Sequence, residues 1–308
     1  MAIRSFAKRH PLLTYFVLAF GISWPAIFAI AGPSGIPGTT EDAGLFPFVF
    51  LAMITGPSLA SIVATALVDG RTGLHGLVAR FRRWRVSPFW YAVALLTTPL
   101  ALIAVLLPLS LASPAFSLGV ATASDRIALL AFAVVGGLLA GSFEELGWTG
   151  FVTPRLLSRY SALVAGLLLG PIWMTWHVLG DYWGFASGFG QLYLPHVAGW
   201  YLALIAYRIL MNWVYSHCQS LLLGQLMHAS FTGSQALLEP AAADPAVGVL
   251  WYSAFAAALW LVVAAVAVAT RGELAHGCPG CLGCSKCDPW AWLKRRARGL
   301  VASPSTTA

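Results

Sequence analysis

Eight apolar stretches, near 13–32, 45–68, 89–112, 127–150, 165–186, 195–215, 219–238 and 247–270, each come close to the roughly 17–25 residues that one helical crossing of a bilayer needs. Few folds are open to such a chain. Unpaired backbone amides are not tolerated in hydrocarbon, so a crossing segment is either a helix or part of a closed barrel, and the period-two alternation of a barrel strand is absent. Hydrophobic residues make up 59% of the 308, above the roughly 45–50% usual for soluble domains. The expectation is an all-α polytopic membrane protein of about eight transmembrane helices over residues 1–271, followed by a compositionally distinct tail, 272–308.

The net charge of +7 does not point to nucleic acid, because of where the charges fall. Arg4, Lys8 and Arg9, then Arg71, Arg80, Arg82, Arg83 and Arg85, then Arg155 and Arg159, then Arg271, Lys286, Lys294, Arg295, Arg296 and Arg298, share one side if eight spans alternate. Glu41, Asp42, Asp125, Asp181, Glu239 and Asp244 fall on the other, with Arg126 as a basic exception. The positive-inside rule then places both termini in the cytoplasm, with the bilayer as partner and no nucleic acid. The N-terminus imitates a secretory signal in its basic start, apolar run and small triplet Ala29-Ile30-Ala31. Its apolar part is longer than an ordinary signal core, and it is expected to remain as the first span.

Ionisable groups inside spans are expensive, and they mark function by default. Glu144 and Glu145 follow an apolar run with no basic residue before Arg155, so the fourth span is expected to continue through Gly147 to Phe151. His177 lies in the fifth span and His228 in the seventh, whereas His196, beside Pro195, reads as interfacial. Trp173, Trp176 and Trp183 read equally well as packing or belt residues. Adjacent helical residues project about 100° apart, so one glutamate can face a shared site while the other supports it. Trp173 with His177, and His228 with Thr232, are i, i+4 pairs, each on one helix face. A carboxylate and two imidazoles can hold a water, take its proton and stabilise an oxyanion, and the same groups are ordinary zinc ligands. Either chemistry is hydrolytic. Matching the depth of His177 to the glutamates requires the fifth span to begin near Leu167, which leaves TPRLLSRYSALVAG as an interfacial or partly inserted segment. The pairs Gly137/Gly141 and Gly166/Gly170 are expected to let the fourth and fifth helices approach each other.

The motifs EELGWTGFVTPRL, GPIWMTWH and LLLGQLMHASFTG, in that order over residues 130–235, resemble those of the CPBP intramembrane proteases, also called the CAAX-protease or Abi family. The resemblance implies an eight-helix bundle with a cavity open to the cytoplasm and membrane. The reaction it implies is hydrolysis of a peptide bond in a membrane-associated peptide or protein substrate, or processing or immunity linked to bacteriocins. It casts Glu144 as the base that activates water, Glu145 as its partner, His177 as a holder of the water and His228 as a water-binding or oxyanion-stabilising residue. Trp173, Thr149 and Thr232 become supporting residues. It leaves open both a zinc ion on Glu144, His177 and His228 and a metal-free glutamate–water pair. Two positions depart from the family pattern: Thr149 stands where an arginine is common, and Thr232 where asparagine or aspartate is usual. Thr149 removes a positive charge that would balance a buried carboxylate. The alternative is therefore a degenerate member acting as a membrane immunity or scaffold protein. On the sequence alone, Thr149→Arg and Thr232→Asn are expected to raise activity in a weakened site and to do nothing in a non-cleaving protein. A proton-coupled transporter is a third reading, disfavoured because no inverted repeat or pair of broken helices is visible.

The tail carries Cys278, Cys281, Cys284 and Cys287 at unbroken x2 spacing. This falls one residue short of the iron–sulfur run and lacks the separation of a zinc ribbon. A tail with no fixed metal is expected, with thiol–metal binding as the second reading. Cys218 stands alone, and KRRAR at 294–298 reads as an anchor at an anionic membrane surface.

Overall fold

The computed structural model describes residues 2–32, 44–240 and 244–270, together with 272 and 274; the cysteine-rich tail, Glu41 and Asp42 lie outside them. The described residues are helical, with no strand among them: α1 (Ala2–Arg9), α2 (Pro11–Ala31), α3 (Phe46–Val68), α4 (Gly70–Phe81), α5 (Pro88–Ala112), α6 (Gly119–Thr122), α7 (Arg126–Gly147), α8 (Thr153–Leu157), α9 (Ala162–Phe189), α10 (Tyr193–Cys218), α11 (Leu221–Leu238) and α12 (Pro245–Ala269). The helix starts have local causes. Pro11, Pro88 and Pro245 occupy first turns, where no amide hydrogen is needed, and the side chains of Ser87, Asp125, Ser220 and Asp244 accept from backbone amides that the first turn leaves free.

Seven helical segments among the described residues are long and apolar enough to cross a membrane, not eight. The remaining expected span is α11, a helix of 18 residues. Its sequence carries Gln225, His228, Ser230, Thr232, Ser234 and Gln235, and it packs along α7 and α5. A helix that faces other helices along much of its length has less need of a hydrocarbon surface.

The fourth span does run on past Gly147. A π turn, Trp148–Val152, joins α7 to α8 and makes one crossing segment from Arg126 to Leu157. Carbonyls along and just before this wide turn find side-chain donors: Ser61 Oγ reaches Leu146 O at 2.8 Å, Arg80 Nη2 reaches Gly150 O at 2.8 Å, and Arg155 Nη1 reaches Phe151 O at 2.8 Å. The expected start of the fifth span near Leu167 is incorrect, since α9 begins at Ala162 and Thr153–Leu157 belongs to the preceding span. Both helices are longer than the sequence reading drew them. Glu144 and His177 therefore stand at comparable distances from the short turn that joins their helices, and so at one depth.

The glycine pairs work, but not between the two helices expected. A Cβ on Gly141 would strike the Gln225 carbonyl, and one on Gly137 would lie 2.6 Å from Ala229 O, both on α11. Gly166 and Gly170 instead face Ile209 and Ile205 of α10. The result is an inner group in which α7 lies on α11 and α9 on α10, with α10 the most buried of the seven crossing segments.

At Gly141 an added methyl has backbone on the other side, whereas at Gly136 it meets the Phe132 ring at an ordinary 3.7 Å. Gly141→Ala is expected to destabilise by about 1–3 kcal/mol, and Gly136→Ala to be neutral or slightly stabilising. Thermal unfolding of both variants in one detergent checks this contrast.

Candidate active site

Glu144 and Glu145, 2% and 0% exposed, point to different partners from adjacent positions on α7. Glu145 is saturated. Its Oε1 accepts from Arg208 Nη2 at 2.8 Å and from His228 Nδ1 at 2.8 Å; its Oε2 accepts from Arg208 Nη1 at 2.9 Å and from the Thr149 hydroxyl. Because a carboxylate oxygen can only accept, the proton on neutral His228 belongs to Nδ1, and Nε2 is left to act as an acceptor.

Glu144 has one direct donor, Trp173 Nε1 at 3.0 Å on Oε2. Its two oxygens otherwise face imidazoles: His177 Nε2 lies 3.8 Å from Oε2, and His228 Nε2 lies 3.9 Å from Oε1. His177 Nε2 is buried without a hydrogen-bond partner. The Trp173 indole packs edge-on against both imidazoles, with centroids 5.7 Å from His177 and 5.2 Å from His228. Trp176 and Trp200 wall the far side of His177 at 4.8 and 5.5 Å. On α10, Tyr207 donates to the Met227 carbonyl at 2.6 Å, which pins α11 one residue before His228.

The structure thus brings Glu144, Glu145, Trp173, His177, Thr149 and His228 together from α7, the π turn, α9 and α11. Thr232, one turn beyond His228, makes no side-chain hydrogen bond among the described residues. His196, near the start of α10, is buried in the bundle: it is stacked 4.0 Å from the Phe189 ring, with Nε2 3.4 Å from Asp181 Oδ1. Asp181 is correspondingly a buried residue of α9 rather than a loop acid.

Arg208 was not anticipated. It sits on α10, 0% exposed, with its guanidinium 4.0 Å from the centre of the Trp173 ring. It supplies the positive charge that Thr149 does not. The signal was available, since an arginine inside an apolar run is an intramembrane ionisable group like any other.

Glu144, His177 and His228 are the residues that could hold a metal ion. Two ligands of one tetrahedral zinc stand about 3.3 Å apart at ordinary bond lengths. The separations of 3.8 and 3.9 Å are wider. Among the described residues, no three His, Cys, Asp or Glu side chains are gathered into a metal-holding group. A zinc ion shared by these three would require them to draw together. A water held at about 2.8 Å from two polar atoms spans such a gap as it stands.

Residues 126–234 match the family model described as Type II CAAX prenyl endopeptidase Rce1-like. A CAAX prenyl protease 2 from Methanococcus maripaludis is 29% identical over 243 residues, an alignment covering 75% of this chain and 86% of that protein. The matched segment runs from the start of α7 into α11 and contains every residue of the constellation, Arg208 included.

Arg208→Met would leave the Glu145 charge buried without its counter-ion and should cost about 3–5 kcal/mol. Glu145→Gln/Arg208→Met removes both charges and should recover most of that loss. Thermal unfolding of Arg208→Met, Glu145→Gln and the double variant measures the coupling, and simple additivity of the single effects would show that the residues do not act as a pair.

Proposed function

Since the chain belongs to the family of Rce1-like CAAX prenyl endopeptidases, we propose that it is an intramembrane endopeptidase in which Glu144 activates a water against a peptide bond of a membrane-associated substrate. The observation that carries this reading is the division of labour between the glutamates. Glu145 has four donors and a counter-ion, whereas Glu144 keeps an oxygen toward each imidazole.

A water between Glu144 and the Nε2 atoms of His177 and His228 is within reach of all three. As its oxygen attacks the carbonyl carbon, its proton passes to Glu144, and the carbonyl π electrons move onto the oxygen. When the tetrahedral species collapses the C–N bond breaks, and Glu144 returns the proton to the departing amine. Nε2 of His228, which carries no proton, accepts from the water, and His177 Nε2, which has no other partner, donates to the water and then to the developing oxyanion. Glu145 does not touch the reacting atoms in this scheme. It fixes the His228 ring through Nδ1–H, and Arg208 supplies its counter-charge through two hydrogen bonds. The site lies inside the bundle, so a peptide bond that reaches it has left most of its water behind, and hydrogen bonds made there are correspondingly stronger.

The degenerate reading rested on two departures, Thr149 and Thr232. Arg208 delivers from another helix the charge that Thr149 lacks, which answers the first of them and supports the catalytic reading. The loops bearing Arg80, Arg83 and Arg155 meet at one end of the bundle, through Arg155–Asp69 and Arg83–Gln219 contacts. We assign that end to the cytoplasm, where a substrate anchored near its C-terminus would approach.

A prenylated peptide ending in a CAAX sequence, presented in liposomes, is the first substrate to test. Glu144→Gln should lose at least about 10²–10⁴-fold in cleavage rate while unfolding at a wild-type temperature; undiminished cleavage would sink the assignment. The same assay with a chelator measures separately whether zinc contributes. Thr149→Arg, expected from the sequence to be restorative, should now be harmful, because it adds a second guanidinium beside a carboxylate that already has one, in a space closed by Gly224. Thr149→Arg/Arg208→Leu should recover activity relative to Thr149→Arg alone.

A further inference from the structure

At the basic end of the bundle a groove of about 500 Å³ opens between α2 and α9, its lining including Arg9, Leu13, Phe16, Arg159, Leu168 and Ile172. The two helices meet deeper in, where Trp24 Nε1 donates to the Trp176 carbonyl at 3.1 Å. Between that contact and the mouth the groove separates them. Leu13 and Phe16 on α2 are spaced i, i+3, and Leu168 and Ile172 on α9 are spaced i, i+4, so each pair forms one continuous ridge along its wall. Leu13 is 52% exposed and Leu168 44%, which leaves these ridges open to an apolar occupant.

The mouth has the opposite character. Arg155 is committed to Asp69 and to the Phe151 carbonyl. Arg9 and Arg159, on either side of it, are exposed and make neither an ion pair nor a side-chain hydrogen bond among the described residues. Arginines at the ends of spans commonly snorkel singly into the interface. These two differ in flanking a concave surface whose polarity falls, over about two helical turns, from two unbalanced guanidinium groups to leucine, isoleucine and phenylalanine. An amphiphile with an anionic head and a hydrocarbon chain has the complementary gradient.

We propose that this groove is a seat for an anionic phospholipid, with the phosphate between Arg9 and Arg159 and the first part of one acyl chain along Leu13, Phe16, Leu168 and Ile172. Guanidinium groups suit phosphate because their planar donors engage two oxygens at once. The seat is separate from the Glu144 site and does not depend on the protease reading.

The test is thermal unfolding of purified full-length protein in a neutral detergent, titrated with short-chain phosphatidylglycerol, with phosphatidylcholine of the same chains, or with glycerol 3-phosphate. Phosphatidylglycerol alone should raise the midpoint saturably, as a ligand of the folded state does. Arg9→Gln/Arg159→Gln should weaken its apparent affinity about tenfold or more. Arg71→Gln/Arg82→Gln, which removes two exposed charges from the same end, should change it less than about twofold. An equal response to phosphatidylcholine would assign the effect to chains alone, and an equal response to glycerol 3-phosphate would make the groove a free-phosphate site. Either outcome overturns the proposal, as does no response to phosphatidylglycerol or an equal loss in both double variants, which would mean diffuse surface charge.

Discussion

The arrangement depends on one buried ion pair. Removing a carboxylate and a guanidinium from water costs several kcal/mol per ion even after relaxation, and that cost is offset only where geometry and additional hydrogen bonds are good. Arg208 meets Glu145 with two nearly parallel bonds of 2.8 and 2.9 Å, Thr149 and His228 fill the remaining acceptor sites, and the Trp173 face covers the cation. Only Arg208 Nε among these groups is buried without a partner. The pair ties α7 to α10 and, through His228, to α11, so the relative placement of three helices and the tautomer of one imidazole follow from the same contact.

Around that pair, backbone chemistry sets what the side chains can reach. The close approach of α7 and α11 at Gly137 and Gly141 brings His228 to the glutamates, and the approach of α9 and α10 at Gly166 and Gly170 places Trp173 beside Arg208. The π turn immediately after Gly147 spreads one turn over more residues than an α turn and so shifts the register of those that follow, while Ser61, Arg80 and Arg155 satisfy nearby carbonyls. Without those donors a wide turn in an apolar environment would leave backbone acceptors exposed to hydrocarbon. Polar side chains that look incidental in the sequence, such as Ser61, are therefore part of what allows the helix to continue past the site.

How much of this was legible follows from what each signal measures. Apolar length marks helices that face lipid, and it found those; it overstated α11, where Gln225 and His228 bond to α7, Ser230 to α5 and Gln235 to α12. The sequence reading let the fourth span run only as far as Arg155, its first basic residue, and began the fifth near Leu167 to match the depth of His177, and so cut α8 away from its span; Arg155 is half covered and held by Asp69. The three polar positions Glu144, His177 and His228 were readable because intramembrane ionisable groups are costly wherever they occur. Arg208 obeyed the same rule yet went unread. Its partner lies 63 residues away along the chain, and no local period links them. Asp181 and His196 were read as outer-end residues from their position near a turn; that both are buried was not legible, because the rings packed on His196, those of Phe189, Trp200 and Tyr252, come from three helices.

The relocation of the arginine shows why a motif position is an imperfect proxy for a charge. Position 149 lies four residues after Glu145, in the π turn that continues α7, close enough that its hydroxyl donates to the carboxylate. An arginine there would reach the same oxygens from the same helix. Electrostatic compensation depends on separation and on the surrounding dielectric, not on chain connectivity, so a guanidinium arriving from α10 balances Glu145 equally well. It also does something a same-helix arginine could not, because it makes the charge balance of the site conditional on α10 packing against α7. Separating those helices would leave two ions without counter-charges in an apolar interior. The energetic demand for a counter-charge at Glu145 is thereby also a demand that the bundle stay closed around Glu144.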